Sequence, residues 1–187
     1  MSGLTVKSIN ALTGVDDAWK APARLMATLL DKPRREDMFR RFQELDNDLS
    51  TDWFQGYFEE EQAERKSKGQ DFTPPSVAVL LNRLVGHDGR SALDVAAGTG
   101  GIVVKRWSED RLNNVDYQPS QYWYEAEELS DRAVPFLIFN MAIRGMNGVI
   151  RHGDSLKRAW KDVFILRNTH DDFPHFSDVE VASHASG

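Results

Sequence analysis

Three carboxylates in this chain stand where a single ligand would need them. The first, Asp94, opens the run Asp94-Val95-Ala96-Ala97-Gly98-Thr99-Gly100-Gly101. Glycines at a strand-to-helix turn let the backbone approach a ligand with no Cβ in the way. The run lacks the lysine of a phosphate-cradling loop, and an aspartate at its head repels a pyrophosphate, so a cationic amino-acid group suits it better. The second, Glu128, follows about a βαβ half-unit later, where a carboxylate accepts both hydroxyls of a ribose. The third, Asp154 in His152-Gly153-Asp154-Ser155-Leu156, is placed to accept a hydrogen bond from an exocyclic adenine amine. A glycine-rich turn alone also fits a plain tight turn, and either later acid alone is more often a surface group. At the ends of three successive strands they point to one ligand, because ligands of parallel sheets collect at the carboxyl edge.

The elements that must position these groups are legible in the hydrophobic period. From Asp71 onward it alternates between strand-like and helix-like, the pattern of an α/β sheet with crossover helices. Strands are predicted over 91–95, as a short buried strand, and over 122–127, 149–151 and 163–166, and helices over 101–110 and 131–144, the second with Val134, Leu137, Ile138 and Met141 as its buried stripe. Thr73-Pro74-Pro75 reads as a helix start, followed by Val77, Leu80, Leu81 and Leu84 on one face. The first third is helical: Trp19, Leu25, Met26, Leu29 and Leu30 recur at helical spacing, then Met38, Phe39, Phe42 and Leu45, with Asp31-Lys32-Pro33 between the two sets. A third helix opens at Ser50-Thr51-Asp52 and carries Trp53, Phe54, Tyr57 and Phe58 inward, as core rather than as a base-stacking platform. The division is a helical region and linker over 1–69 and an α/β domain over 70–187. The tail, 176–181, alternates like a strand that pairs back onto the open sheet edge or with a second copy.

Composition narrows the chemistry. The absence of cysteine rules out thiolate metal sites and disulfides. No leader-like N-terminus and no long apolar run is present, which makes a cytoplasmic protein without a membrane contact the expectation. A net charge of -6, with the basic clusters at 32–41 and 65–68 interleaved with acids, gives no global footprint for nucleic acid. His170, His175 and His184 do not follow a recognised ligand spacing, and no metal is expected.

The blocks Gln70-Asp71-Phe72-Thr73-Pro74, Asp94 to Gly101, Glu128 with Asn140-Met141-Ala142-Ile143-Arg144-Gly145-Met146, and His152 to Leu156 together resemble the modification subunit of type I restriction systems and related adenine-N6 DNA methyltransferases. Order and spacing match over roughly half the chain, and Asp52 to Phe58 looks like the end of that family's N-terminal helical region. The resemblance implies a partial Rossmann-like, S-adenosylmethionine-dependent methyltransferase fold. It implies that Phe72 and Thr73 line the methionine end of S-adenosylmethionine. Asp94, Ala96 and the Gly98 turn would hold its amino-acid part, Glu128 the ribose, and Asp154 with Ser155 the adenine.

One block departs from the family. There the fourth strand ends in Asn or Asp, two prolines and an aromatic, a loop that grips an extruded base. Here that strand runs into Asn168-Thr169-His170-Asp171-Asp172-Phe173-Pro174. Asn168 and Phe173 keep the residue types, but the double proline is missing, and loose positioning costs orders of magnitude in rate. Two readings follow. One is a short, phage-like DNA methyltransferase relative that binds S-adenosylmethionine through an intact pocket with an altered catalytic loop. The other is a non-catalytic binding or regulatory protein that mimics or partners a modification subunit. DNA, a second copy of the chain and a restriction-modification subunit are the partners these readings imply.

Overall fold

The computed structural model describes residues 4–64, 76–77, 80, 89–172 and 175–182. Four helices come first: α1 (Val6–Thr13), α2 (Ala21–Leu29), α3 (Lys32–Leu45) and α4 (Gln55–Glu64). Their boundaries follow from capping chemistry. Thr5 and Ser8 satisfy each other's backbone N–H groups at the start of α1, and Asp31 accepts from the Arg34 N–H at the start of α3, with Pro33 in the first turn where its missing donor does no harm.

Five strands then form one sheet in the spatial order β1-β2-β3-β4-β5: β1 (Ser91–Val95), β2 (Trp123–Glu128), β3 (Gly148–Asp154), β4 (Ala159–Arg167) and β5 (Asp178–Val181). The first three are parallel, joined by α5 (Gly101–Asn113) and α6 (Val134–Ile143). Because right-twisted strands make right-handed crossovers, and both crossovers step the sheet in the same direction, α5 and α6 fall on one face. That face carries the buried Tyr124, Ala126, Ile150, Phe164 and Leu166. On the opposite face Leu93 and Val95 are 57% and 51% exposed, so β1 is not the buried strand its sequence predicts.

The fourth strand departs from what the family resemblance implies. It runs antiparallel to β3, with Gly148 opposite Leu166 and Asp154 opposite Ala159. The reason is length. β3 extends through the polar residues His152 and Asp154, and β4 begins at Ala159, so only 155–158 connect them. A parallel crossover needs about a dozen residues, whereas a few suffice for a hairpin. The tail does pair back, antiparallel to β4, with Val179 opposite Leu166.

All ten residues of α6 are buried, not only the predicted stripe. The sheet covers one side of this helix and the N-terminal region the other. Phe139 is the junction: its ring lies 4.8 Å from Phe39, 4.7 Å from Phe42 and 4.9 Å from Phe54, centroid to centroid, in edge-on or tilted contacts. The expected core aromatics Trp53, Phe54, Tyr57 and Phe58 are buried here. Trp19, Leu30 and Leu45 are exposed despite their helical spacing, because each sits at or beyond an element's end, past the reach of the packed face. Ser76, Val77 and Leu80 are helical as predicted, but Val77 and Leu80 are exposed; Leu81 and Leu84 lie outside the described residues.

Truncating the junction tests this account. Phe139→Ala is expected to destabilise the chain by about 3–5 kcal/mol in denaturant unfolding, the usual cost of emptying a buried phenylalanine site; a loss near 1 kcal/mol would mean the N-terminal helices are not packed on α6.

Candidate functional site

The carboxyl ends of β1, β2 and β3 open on a cavity of about 490 Å³. Its walls include Ala96, Gly98, Glu128, Asp154 and Ser155 from the sheet edge, and Asp52 and Gln55 from the N-terminal region. The tertiary structure thus brings together five of the eight site residues the sequence singles out. Asp94 lies one residue behind the lining. Phe72 and Thr73 lie outside the described residues.

The glycine-rich turn takes left-handed backbone at alternate residues. Gly98 has φ 59°, Gly100 has φ 106°, and Ala96 takes φ 69° despite its side chain. A Cβ at Gly100 would approach Leu137 of α6 to 3.0 Å, so this position needs glycine for both backbone angle and helix packing. Glu128 holds the turn in place. Its carboxylate accepts from the Gly98 N–H and from the Ser130 N–H, each at 2.7 Å. Each oxygen keeps a lone pair, so this strut can still accept hydroxyl donors from the cavity.

Asp154 is likewise engaged in shaping backbone. It accepts from the N–H groups of Leu156 and Lys157 and pairs with the Lys157 ammonium at 3.1 Å. The backbone bond from Lys157, ahead of its side chain, holds the Asp154 carboxyl below the ordinary carboxylate range.

Asp94 is the electrostatic exception. Its Oδ2 is buried and accepts no hydrogen bond from the described residues. Burial first, and the charge of Glu128 second, push its carboxyl from the ordinary 3.8 up to about 7. A positive group beside such a carboxyl would restore its charged form.

A buried polar network that sequence reasoning missed anchors the other wall. Asp52 accepts from the Thr99 hydroxyl, from Asn140 Nδ2 at 2.6 Å and from the Phe54 N–H at 2.9 Å. Asn140 also donates to the Thr99 carbonyl at 2.8 Å. Behind them Arg144 donates to Asn140, to the Leu49 carbonyl and to the Thr51 carbonyl, with its guanidinium 5.6 Å from the Trp53 ring. Full burial draws the Arg144 pKa down to about 10, and the charges of Asp52 and Asp48 oppose that shift. The chain Arg144–Asn140–Asp52–Thr99 ties α6, the N-terminal segment and the glycine turn into one unit. Asp52, Asn140 and Arg144 all fall in sequence blocks singled out for resemblance, but nothing in their local spacing predicts that they meet.

Asn168 is far from this cavity. Because β4 is antiparallel, its end lies beside the start of β3: the Asn168 N–H donates to Asn147 Oδ1 at 2.7 Å, and its Nδ2 to the Gly145 carbonyl at 3.1 Å. Seven residues of β3 at about 3.3 Å each put roughly 20 Å between the two edges. Asn168 is therefore a buried loop anchor and not a partner of the cleft. Phe173 lies outside the described residues.

A family model, N-6 DNA Methylase, matches residues 46–177. The chain belongs to that family. The match takes in the aromatic segment, the glycine turn and β1 to β4, and leaves out α1, α2, α3 and β5. No curated protein and no solved structure gives a match. Membership makes this a DNA methyltransferase-like chain, and no helix among the described residues is long and apolar enough to cross a membrane.

Asp94 yields a pH prediction with a defined sign. A carboxyl raised in the fold favours the neutral form, so its contribution to stability is lost as pH rises from about 3.8 through about 7. Asp94→Asn removes that loss. Its gain in thermal midpoint over the native chain is expected to grow across this window and to level off above it; a gain that is flat with pH would place the carboxyl in an ordinary aqueous setting.

Proposed function

We propose that this member of the N-6 DNA methylase family binds S-adenosylmethionine at the carboxyl edge of β1 to β3, and that by itself it does not methylate DNA. In this reading the chain is the cofactor half of a Rossmann-like methyltransferase sheet, of the adenine-N6, restriction-modification type, working in the cytoplasm. Several features support the pocket: a cavity of a size usual for small ligands, a glycine turn held open by Glu128, and the unpartnered Asp94 oxygen behind it.

The roles divide by chemistry. Asp94 would pair with the cofactor's ammonium, with the backbone of Ala96 and Gly98 alongside its amino-acid part. Glu128 would accept the ribose hydroxyls, and Asp154 with Ser155 would receive the adenine. Phe72 and Thr73 are assigned to the methionine end by resemblance. When bound, the sulfonium supplies an electrophilic methyl group. Asp52 and Gln55 narrow the opposite wall, and the Asp52–Thr99 bond keeps the turn from collapsing into the space.

The position of β4 carries the second half of the proposal. Asn168, the residue that matches the amide of a target-base loop by type, stands at the far edge of the sheet, beyond hydrogen-bonding reach of the cleft. A flipped adenine at the cavity would meet no amide acceptor from that loop. Action on DNA then needs a second chain, either a modification subunit or another copy, to bring a target loop to the cofactor.

Calorimetric titration with S-adenosylmethionine is expected to give saturable binding that Asp94→Ala removes and Asp154→Ala weakens. Incubation with labelled cofactor and unmethylated DNA is expected to give no transfer from the purified chain alone. Absence of binding at millimolar cofactor would end the pocket assignment. Transfer by the lone chain that disappears in Asn168→Ala would overturn the assignment of β4.

A further inference from the structure

His152 stands on β3 two residues before Asp154 and is 7% exposed. A buried imidazole is either neutral with its nitrogens satisfied or charged and paired. Here carboxylates stand at both nitrogens. Asp162 on β4 is 3.2 Å from Nδ1, and Asp131, in the loop between β2 and α6, is 2.8 Å from Nε2. The Nε2 contact is out of line for a hydrogen bond, so it is a contact of charge. An imidazole with no proton on Nε2 would set a nitrogen lone pair against a carboxylate oxygen at that distance. Asp131 is itself held in the charged form, first by its bond to Lys161 and further by the charge of His152.

The other charged groups around the ring are already engaged. Glu128, opposite His152 in the β2–β3 register, accepts from the Gly98 and Ser130 N–H groups. Lys161 donates to Asp131 at 2.6 Å, Arg132 lies over the Trp19 ring, and Asp154 is turned to Lys157. The imidazole is thus the group that joins Asp131 to Asp162.

Those two carboxylates belong to different walls of the cleft. Asp131 follows Glu128 and Leu129, which line it from the end of β2. Asp162 belongs to the strand that returns from Asp154, Ser155 and Leu156, which line it from the end of β3. We propose that His152, protonated on both nitrogens, is a positioning residue that fixes these two walls against each other, so that the cleft binds its ligand best while the imidazole is charged. The proposal rests on the reading of the cleft as an S-adenosylmethionine site. Loss of one proton leaves a single donor for two carboxylates, and one wall is released. The effect opposes that of Asp94, whose charged form favours a cationic ligand as pH rises.

Two measurements on the full chain test it. The first is S-adenosylmethionine affinity of the native chain and of His152→Gln, which keeps a donor but takes no charge. It is read at about pH 5.5 and about pH 8.5, across most of the range in which imidazoles change charge. The ratio of the two affinities cancels the titration of Asp94, which both chains carry. The native chain is expected to bind about three- to thirtyfold more tightly at the lower pH, with the ratio shrinking toward one at the higher. His170→Gln, at the far edge of the sheet, should track the native chain at both. A ratio that does not change with pH, as a merely structural histidine gives, overturns the proposal, and so does the same ratio from His170→Gln.

The second measurement needs no cofactor. In thermal unfolding, His152→Gln and Asp131→Asn are expected to be non-additive at the lower pH, where the ion pair contributes, and additive at the higher, where it is lost. Additivity at both values also overturns the proposal. Absence of cofactor binding by the native chain at both values ends the cleft reading and the positioning role with it, and non-additivity at the lower pH in that case shows that the cleft assignment, and not the ion pair, has failed.

Discussion

A helix that is apolar on every side must be enclosed, and α6 sets that condition for the whole molecule. All ten of its residues are buried. A sheet covers one side of a helix and no more, so the other side requires a second layer of helices. Phe39, Phe42 and Phe54 supply it, which makes the N-terminal region part of the same core as the sheet. The polar network follows from this enclosure. Once α6 is covered, Asn140 and Arg144 lie in the interior, and the cost of burying an amide and a guanidinium is met by hydrogen bonds to Asp52, Thr99, Leu49 and Thr51. Asp52 thereby couples the packing of the N-terminal helices to the shape of the glycine turn.

The carboxyl edge and the opposite edge of the sheet have different chemistry for a topological reason. Two right-handed crossovers place β1, β2 and β3 in register with all their ends on one side, so the loops that carry Gly98, Glu128 and Asp154 meet there. The four-residue connection after Asp154 turns the chain back, and β4 delivers its own end to the other side. The edge that carries Gly98, Glu128 and Asp154 and the end of β4 at Asn168 are thereby separated along the length of β3. That separation is a property of one short connection and not of any residue in the cleft.

Charge is handled differently at the two buried sites. Arg144 is satisfied by carbonyls, by Asn140 and by the faces of two tryptophans, and it functions as a structural pin. Asp94 has no comparable partner for its inner oxygen and stands beside a second carboxylate. An arrangement that raises the energy of an ionised group is costly in isolation and becomes favourable when a cation arrives. Glu128 escapes the same penalty because two backbone N–H groups point at it.

By itself the sequence determined most of the elements and five of the residues that line the cleft. Hydrophobic period, caps and turn glycines act over one or two turns of chain, so β1 falls over the predicted 91–95, and the aromatics Trp53, Phe54, Tyr57 and Phe58 fall in the core. The spacing of Asp94, Glu128 and Asp154 was legible because three successive parallel strands must end on the same edge. The tertiary structure alone decided the direction of β4, since polar residues at both strand ends hid how short the connection is. It also decided the meeting of Asp52 with Thr99 and Asn140 and the folding of Glu128 onto Gly98. These contacts join residues from separate elements. They leave no mark in local spacing, because they depend on where the rest of the chain has already packed.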